Sequence, residues 1–301
     1  MGDDVAALRW GSVTALLTTD ALSEGTHFLA RSPAEWVGRA AVAASFSDLA
    51  SKGGVPVAVL LDLLLPPTTP ERWARSVVLG AERFAANSGC HVVGGDTKAS
   101  EGRCVVGTVV GLATTPRLPR RDAARPGDVL IVTGTVGRGG AAARAYFTRR
   151  RPTRSDLVDL LRIDPRLREG RAIAPHARAM IDTSDGLADA AHRLARASGV
   201  RIVVEEGEIP WDAGLAGTAS MEERLLWGLY GGDYELLAAI PGARTARRLR
   251  SLPGGAARVS VIGTVQRGTG AFLRIGGRLR PMPPAGWDPF GGAGPRPAVR
   301  R

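Results

Sequence analysis

The chain has 301 residues and a formal charge of +11, from 40 Lys and Arg against 29 Asp and Glu, a length that suits one or two domains. Two cysteines without a CxxC pair (Cys90, Cys104) and four dispersed histidines argue against a disulfide framework or a zinc site, and read instead as buried small thiols and isolated imidazoles. The basic charge is almost all arginine, scattered and with few aromatics, which disfavours nucleic acid as a partner; there is no leader signal and no apolar stretch long enough for a bilayer, so a cytoplasmic protein without membrane contact is expected.

In chain order, residues 13–19 are apolar and β-branched and predict a strand. Residues 33–50 carry helical periodicity, with Ser32 as N-cap, Pro33 at the first helical position and Glu35 at the third. Residues 55–65 form a long apolar run broken by Asp62 and closed by Pro66-Pro67, a buried strand. A second helix over 70–87 has Thr69 as its cap and Gly89 just beyond its end. Strands at 91–94 and 103–112 flank a Gly-Gly-Asp turn. This β-α-β-α-β-β order describes an α/β layer of about a hundred residues. Pro116, Pro119 and Pro126 then interrupt 114–127, and we place a boundary there. Beyond it come a strand at 128–133, helices near 138–149, 155–162 and 166–174, a strand at 178–182, a helix at 186–198, a strand at 200–205, a helix at 221–229, a strand at 234–240, a helix at 243–251, and strands near 257–265 and 271–275. The run Arg149-Arg150-Arg151-Pro152-Thr153-Arg154 reads as a solvated connection. From Pro281 onward Pro and Gly dominate, and Gly291 to Pro295 read as a loose tail.

Aspartates with no evident structural role recur in six short motifs. These are Gly2-Asp3-Asp4, Thr18-Thr19-Asp20, Ser47-Asp48-Leu49, Gly94-Gly95-Asp96-Thr97, Asp182-Thr183-Ser184-Asp185-Gly186 and Gly232-Asp233-Tyr234. Several follow predicted strands, where α/β proteins place their sites. Crowded carboxylates repel unless a cation sits among them, and hard oxygen ligands suit Mg²⁺, commonly beside phosphates. Asp182 to Gly186 is the strongest motif: an apolar strand ends in Asp182 and a helix begins just after, so Ser184 and Asp185 sit at a helix N-terminus, with more acid than a cap requires. Asp48, late in an Ala-rich helix, would be costly if buried without a partner. The weaker motifs have plain alternatives. Gly94 to Thr97 could be a hairpin turn, or glycines that let a nucleotide approach the backbone. Thr18 and Thr19 could be surface hydroxyls at a strand end, and His27 a satisfied loop histidine. Thr133 to Gly140 invites a phosphate-loop reading, but it lacks the GxxxxGK[ST] lysine and the G-x-G-x-x-G spacing, so a tight strand-to-helix turn is the better reading. The protein-kinase signature set is absent.

In this order and spacing the motifs resemble the thiamine-monophosphate kinase family, within the aminoimidazole-ribonucleotide-synthetase-like ATP enzymes. The likeness spans nearly the whole chain. It includes Glu24-Gly25-Thr26-His27-Phe28, Ser47 to Ala50, Arg121 ahead of Arg125-Pro126-Gly127-Asp128, Val132-Thr133-Gly134, Asp233-Tyr234-Glu235-Leu236-Leu237 and Gly286-Trp287-Asp288. The resemblance implies an α/β (α+β) two-domain fold: residues 1–114 as an ATP- and Mg²⁺-binding domain whose mixed sheet pairs in a homodimer, 115–285 as a C-terminal α/β domain, and 286–301 as a substrate-contacting segment and tail. It implies transfer of the ATP γ-phosphoryl group to the phosphate of thiamine monophosphate. Asp4, Thr18, Thr19, Asp20, Asp48, Asp96, Asp182 and Asp185 would hold several Mg²⁺ ions. Gly95, Asp96, Arg121 and Ser184 would contact ATP, and His27 and Trp287 the thiamine moiety. The acceptor is already an ionised phosphate oxygen, so no general base is nominated.

Alternative readings are a related ATP-dependent synthetase or maturation enzyme with another acceptor, and a nucleotide-binding protein that no longer catalyses. The chain departs from the family pattern twice. Met1 stands beside Gly2-Asp3-Asp4, where the family carries a preceding segment, so translation is expected to start upstream. Gly232 stands where the family has a substrate-contacting glutamate.

Overall fold

The computed structural model describes residues 2–148, 153–218, 220–250, 252, 257–284 and 286. Most of the predicted arginine-rich connection, Trp287 and the Gly-Pro tail lie outside the described residues. The first half contains β1 (Ala6–Trp10), β2 (Val13–Ser23), α1 (Ala34–Ala50), β3 (Gly54–Leu65), α2 (Glu71–Ala86), β4 (His91–Gly94), β5 (Thr97–Ala99) and β6 (Cys104–Ala113). They form one mixed sheet in the order β1-β2-β6-β3-β4, with β5 pairing β3 beyond the end of β4. Neighbours run antiparallel except that β4 and β5 are both parallel to β3.

Side chains alternate across a strand, so this sheet has two unlike faces. Leu16, Leu22, Val59, Leu61, Leu63, Val105 and Val109 turn inward, where α1 and α2 cover them. The other face carries Leu17, Leu60, Val110 and Leu112, with no helix of the described residues over it. α1 is buried nearly all round, from Val37 to Ala50. Its alanines allow close packing against the sheet on one side and the second half of the chain on the other.

Two cap expectations are corrected. α1 begins after Pro33 and α2 after Pro70, neither with a side-chain cap. Ser32 Oγ instead accepts the Leu29 N–H at 3.0 Å in the preceding turn. Proline carries no N–H, so fewer orphan donors need a partner there. The Gly-Gly-Asp segment is also not a hairpin. It interrupts an edge strand that continues alongside β3, because β4 pairs Ala58–Leu60 and β5 pairs Leu63–Leu65 in the same direction. At Gly95, φ is +148° and an added Cβ would lie 1.9 Å from the Leu61 carbonyl oxygen. The glycine is required by contact with β3 itself.

The second half contains β7 (Asp128–Thr133), α3 (Arg138–Thr148), α4 (Arg154–Leu160), α5 (Leu167–Ile173), β8 (Ala179–Asp182), α6 (Leu187–Ser198), β9 (Arg201–Glu205), α7 (Met221–Gly228), β10 (Leu236–Pro241), α8 (Ala243–Leu249), β11 (Val259–Gln266), β12 (Gly270–Ile275) and β13 (Arg278–Pro281). Its sheet runs β13-β12-β9-β11-β7-β10-β8, parallel only between β12 and β9. Leu130, Val132, Leu237 and Ala239 pack toward α6, while Ile131, Leu236, Ala238 and Ile240 pack toward α8. Burial on both faces explains why β7 and β10 read as continuous apolar runs. The two halves meet along α1: Ala50 belongs to the same apolar cluster as Ile173 and Met180, and Gly170 fits close against the Ala50 carbonyl. Cys90 and Cys104 are free thiols, the first buried and the second half-buried.

Candidate active site

The site forms where α1 meets the end of β8. Four hydroxyls orient four carboxylates there. Ser45 Oγ donates to Asp20 Oδ2 at 2.9 Å, Ser47 Oγ to Asp182 Oδ2 at 2.8 Å, Ser51 Oγ to Asp4 Oδ2 at 2.5 Å, and Thr18 Oγ1 to Asp48 Oδ2 at 2.5 Å. Ser45 and Ser47 lie on α1 and Ser51 caps its end; the last turn also carries Asp48. The other aspartates arrive from β2, from the N-terminal segment and from the end of β8. One carboxylate oxygen from each of Asp4, Asp48 and Asp182 lies within 4.8 Å of the other two. Sequence reasoning quoted Ser47 in its motif without a role and missed Ser45 and Ser51; their signal was small hydroxyls at 45, 47 and 51, in and just beyond an Ala-rich helix.

The electrostatics divide the group. Burial, then the nearby charges of Asp182, Asp20 and Asp4, push the Asp48 carboxyl well above its ordinary value. Asp48 also sits at a helix C-terminus, the negative end of the macrodipole. Asp182, 5% exposed, is pushed up to about 7 by burial and then by Asp4. Burial likewise raises Asp20. Asp185 rises to about 6, chiefly through burial, although Arg193 lies 3.1 Å away. Asp4 behaves oppositely: burial favours its neutral form, but Lys52 and Arg121 outweigh it and hold the carboxyl below its ordinary range. Among the described residues, the groups that donate to the Asp48 and Asp182 carboxylates are hydroxyls, with no cation beside them. Crowded, oxygen-only and uncompensated, with Asp182 buried and Asp48 half-buried, these two acids fit a hard divalent cation.

The remaining expected residues distribute as follows. Ser184 Oγ donates to Asp182 Oδ1 at 3.2 Å, and Asp185 lies in the turn before α6. Arg121 reaches Asp4 through one terminal nitrogen, while its buried Nε has no hydrogen-bond partner. Thr19 points to the opposite sheet face from Thr18, where its hydroxyl meets Thr108 Oγ1 at 2.9 Å. Asp96 is exposed on the β4–β5 edge; its Oδ1 accepts from Lys98 Nζ and from the Thr97 N–H, both at 2.7 Å. His27 follows β2, and its Nδ1 accepts the Ser23 N–H at 3.1 Å; burial lowers its pKa, giving a neutral ring with the proton on Nε2. Trp287 lies outside the described residues. Its neighbour Gly286 packs against the turn, since an added Cβ would lie 2.7 Å from the Asp185 carbonyl oxygen.

One of the six motifs does have a structural role. The Asp233 carboxylate accepts the Gly137 N–H at 2.7 Å and the Gly139 N–H at 2.9 Å. The glycine-rich loop after β7 therefore commits amides to an internal carboxylate. That favours the tight-turn reading, and Gly137, at φ +93°, supplies the turn. Glu235 is buried against Arg166 Nε at 2.7 Å and Thr133 Oγ1 at 2.6 Å. Between them Tyr234 adopts φ +55°, the only non-glycine with positive φ among the described residues. It packs against the first domain's core, and burial and then the acidic cluster raise its phenol pKa.

Comparison with known proteins fits this arrangement. Residues 2–113 match the model for the AIR synthase related protein N-terminal domain, and residues 125–276 that for the C-terminal domain. The chain is thus built as an AIR synthase related protein. A thiamine-monophosphate kinase of Halobacterium salinarum is 36% identical over 88% of this chain and 87% of its own. That of Aquifex aeolicus is 32% identical over 96% and 92%. A solved structure described as AaThiL complexed with AMPPCP and TMP shares the fold with a TM-score of 0.83 at 32% identity, covering 96% of this chain and 92% of that one. The chain belongs to the thiamine-monophosphate kinase family. No helix among the described residues is long and apolar enough to cross a membrane.

Proposed function

We propose that this kinase transfers the γ-phosphoryl group of ATP to the phosphate of thiamine monophosphate, giving thiamine diphosphate and ADP, at the acidic cluster between the two sheets. The observation that carries the reading is the convergence of half-buried Asp48 and buried Asp182, uncompensated, beside the Asp182–Asp185 turn, in a chain whose relatives carry that name and whose fold neighbour was solved with AMPPCP and TMP. Asp48 and Asp182, with Asp20 and Asp185 flanking them, would hold Mg²⁺. Bound there, Mg²⁺ supplies screening between two anionic reactants and stabilises charge in an in-line transition state.

The chain's own groups do the positioning. The α1 serines and Thr18 fix the carboxylate oxygens without cancelling their charge. Arg121 and Ser184 border the cluster from the linker and the α6 N-terminus and serve ATP; Gly95 and Asp96 extend that role at the sheet edge. His27 offers a neutral imidazole, and Trp287 follows directly on Gly286, which abuts the Asp185 turn; both serve the thiamine moiety. The acceptor oxygen needs no base. We assign residues 1–114 to metal, nucleotide and dimer contacts, 115–285 to the α/β domain and 286–301 to substrate contact. The uncovered face with Leu17, Leu60, Val110 and Leu112, beside Val93 at 65% and Trp10 at 86% exposure, supports pairing with a second copy.

The test is an ADP-release assay with Mg²⁺-ATP and either thiamine monophosphate or a formylglycinamidine-type acceptor. Turnover only with thiamine monophosphate supports the proposal. Turnover only with the other acceptor, or none with either, overturns it.

A further inference from the structure

Asp4 shares the cluster with Asp48 and Asp182, but its surroundings differ in kind. One of its oxygens takes the Arg121 guanidinium, and the other takes Lys52 Nζ at 2.8 Å and the Ser51 hydroxyl. Lys52 is one of only two lysines in the chain, and its side chain is 1% exposed. Its ammonium also meets Asp3 Oδ1 at 2.7 Å, the Met180 carbonyl at 2.7 Å and the Pro119 carbonyl at 3.4 Å. Those partners come from the N-terminal segment, the linker and β8, and Met180 lies two residues before Asp182. A buried ammonium persists only where acceptors surround it, and here the acceptors are the segments that shape the site.

Resting on the function proposed above, we infer that Lys52 is a built-in counter-ion that takes the place of a divalent cation at Asp4. Asp4 and Asp3 then anchor the N-terminal segment to α1 and β8, and metal binding is confined to the side of Asp48, Asp182 and Asp20. Lys52 acts as a positioning residue, since it reaches the reacting groups only through Asp4 and the strand that carries Asp182.

The experiment counts ions. Mn²⁺ is titrated into the full chain with a saturating non-hydrolysable ATP analogue, and free Mn²⁺ is read by electron paramagnetic resonance. Lys52→Met is expected to bind one more ion per chain than wild type, Lys52→Arg the wild-type number, and Asp4→Asn the wild-type number. Equal counts for Lys52→Met and wild type, or the loss of an ion in Asp4→Asn, overturn the inference; should Lys52→Met fail to fold, Asp4→Asn decides it alone. Asp48→Asn separates this from the wider reading. It must lose at least one ion if the cluster holds metal at all, and an unchanged count there refutes the metal site whatever Lys52 does.

Discussion

Replacing Asp182 by Asn removes the buried, crowded charge on which the site depends. The carboxyl is pushed up to about 7 from an ordinary value of 3.8, first by burial and then by Asp4. Its folded-state pKa is raised, so the fold binds a proton more tightly than the unfolded chain. The stability this group contributes is full below pH 3.8, declines as pH rises, and is gone above about 7. At about 1.4 kcal/mol per tenfold change in proton affinity, ionised Asp182 disfavours the metal-free fold by on the order of 4 kcal/mol at pH 8. The amide carries neither the desolvation cost nor the repulsion from Asp4, Asp20 and Asp185; with relaxation and water around the ionised group already lowering that cost, roughly half, about 2 kcal/mol, should be recovered. The amide keeps an oxygen for the Ser47 hydroxyl and presents NH₂ to Ser184 Oγ, so no partner is lost. Asp182→Asn should therefore melt about 4–8 °C above wild type in EDTA at pH 8, at about 2–4 °C per kcal/mol for a chain of this size. That gain should vanish below pH 4. Mg²⁺ should stabilise wild type more than the variant, increasingly as pH rises through 7, because metal and proton compete for the same oxygens. Turnover should fall by about 10²–10³-fold or more. Differential scanning fluorimetry across pH, with and without Mg²⁺, reads all but the last. A variant that melts below wild type in EDTA at pH 8 and gains equally from Mg²⁺ would refute the crowded-ligand reasoning.

Three further outcomes can be measured. Asp233→Ala leaves the Gly137 and Gly139 amides without their carboxylate, which should cost about 1–3 kcal/mol; faster hydrogen exchange at those two amides is the check, and unchanged protection contradicts the structural role. Leu60→Asp puts a charge on the uncovered sheet face and should weaken self-association by at least about a hundredfold; light scattering should then report 31.5 kDa rather than twice that mass, and an unaltered dimer rules that face out. His27→Ala should raise KM for thiamine monophosphate several-fold with little change in kcat, the pattern of lost ground-state binding; steady-state kinetics with a wild-type KM remove His27 from the substrate site.

Long, uniform patterns were legible in the sequence. The run that became β3 and the periodicity of α1 and α2 stood out because each buries one kind of surface over its whole length. β1, β5 and β13 were not legible, since each is a short strand at a sheet edge whose pairing is set by its neighbour rather than by its own pattern. The Gly94-Gly95 pair misled for a related reason: two glycines signal tight backbone, and only the register to β3 distinguishes an edge-strand break from a hairpin. Among the acidic motifs, spacing alone could not separate Asp233, which caps a loop, from Asp48, which has no cation beside it among the described residues. Lys52 was visible only as a rare residue type, because its partners lie 48, 67 and 128 positions away.

The division between hydroxyl and cationic partners sets what the cluster can do. A cation beside a carboxylate fixes its orientation and also cancels its charge; a serine fixes the orientation and leaves the charge in place. Asp20, Asp48 and Asp182 are held by Ser45, Thr18 and Ser47, all neutral donors. Asp4 and Asp185 face Lys52, Arg121 and Arg193. The end of α1 supplies donors to both groups within two turns, so one buried helix fixes carboxylates from three other segments relative to one another. Substituting arginine for Ser47 would keep Asp182 paired but destroy the unmet charge that a divalent ion would recognise. Ordering these acids with small hydroxyls therefore preserves, in the folded protein, the electrostatic tension that binding a divalent cation would relieve.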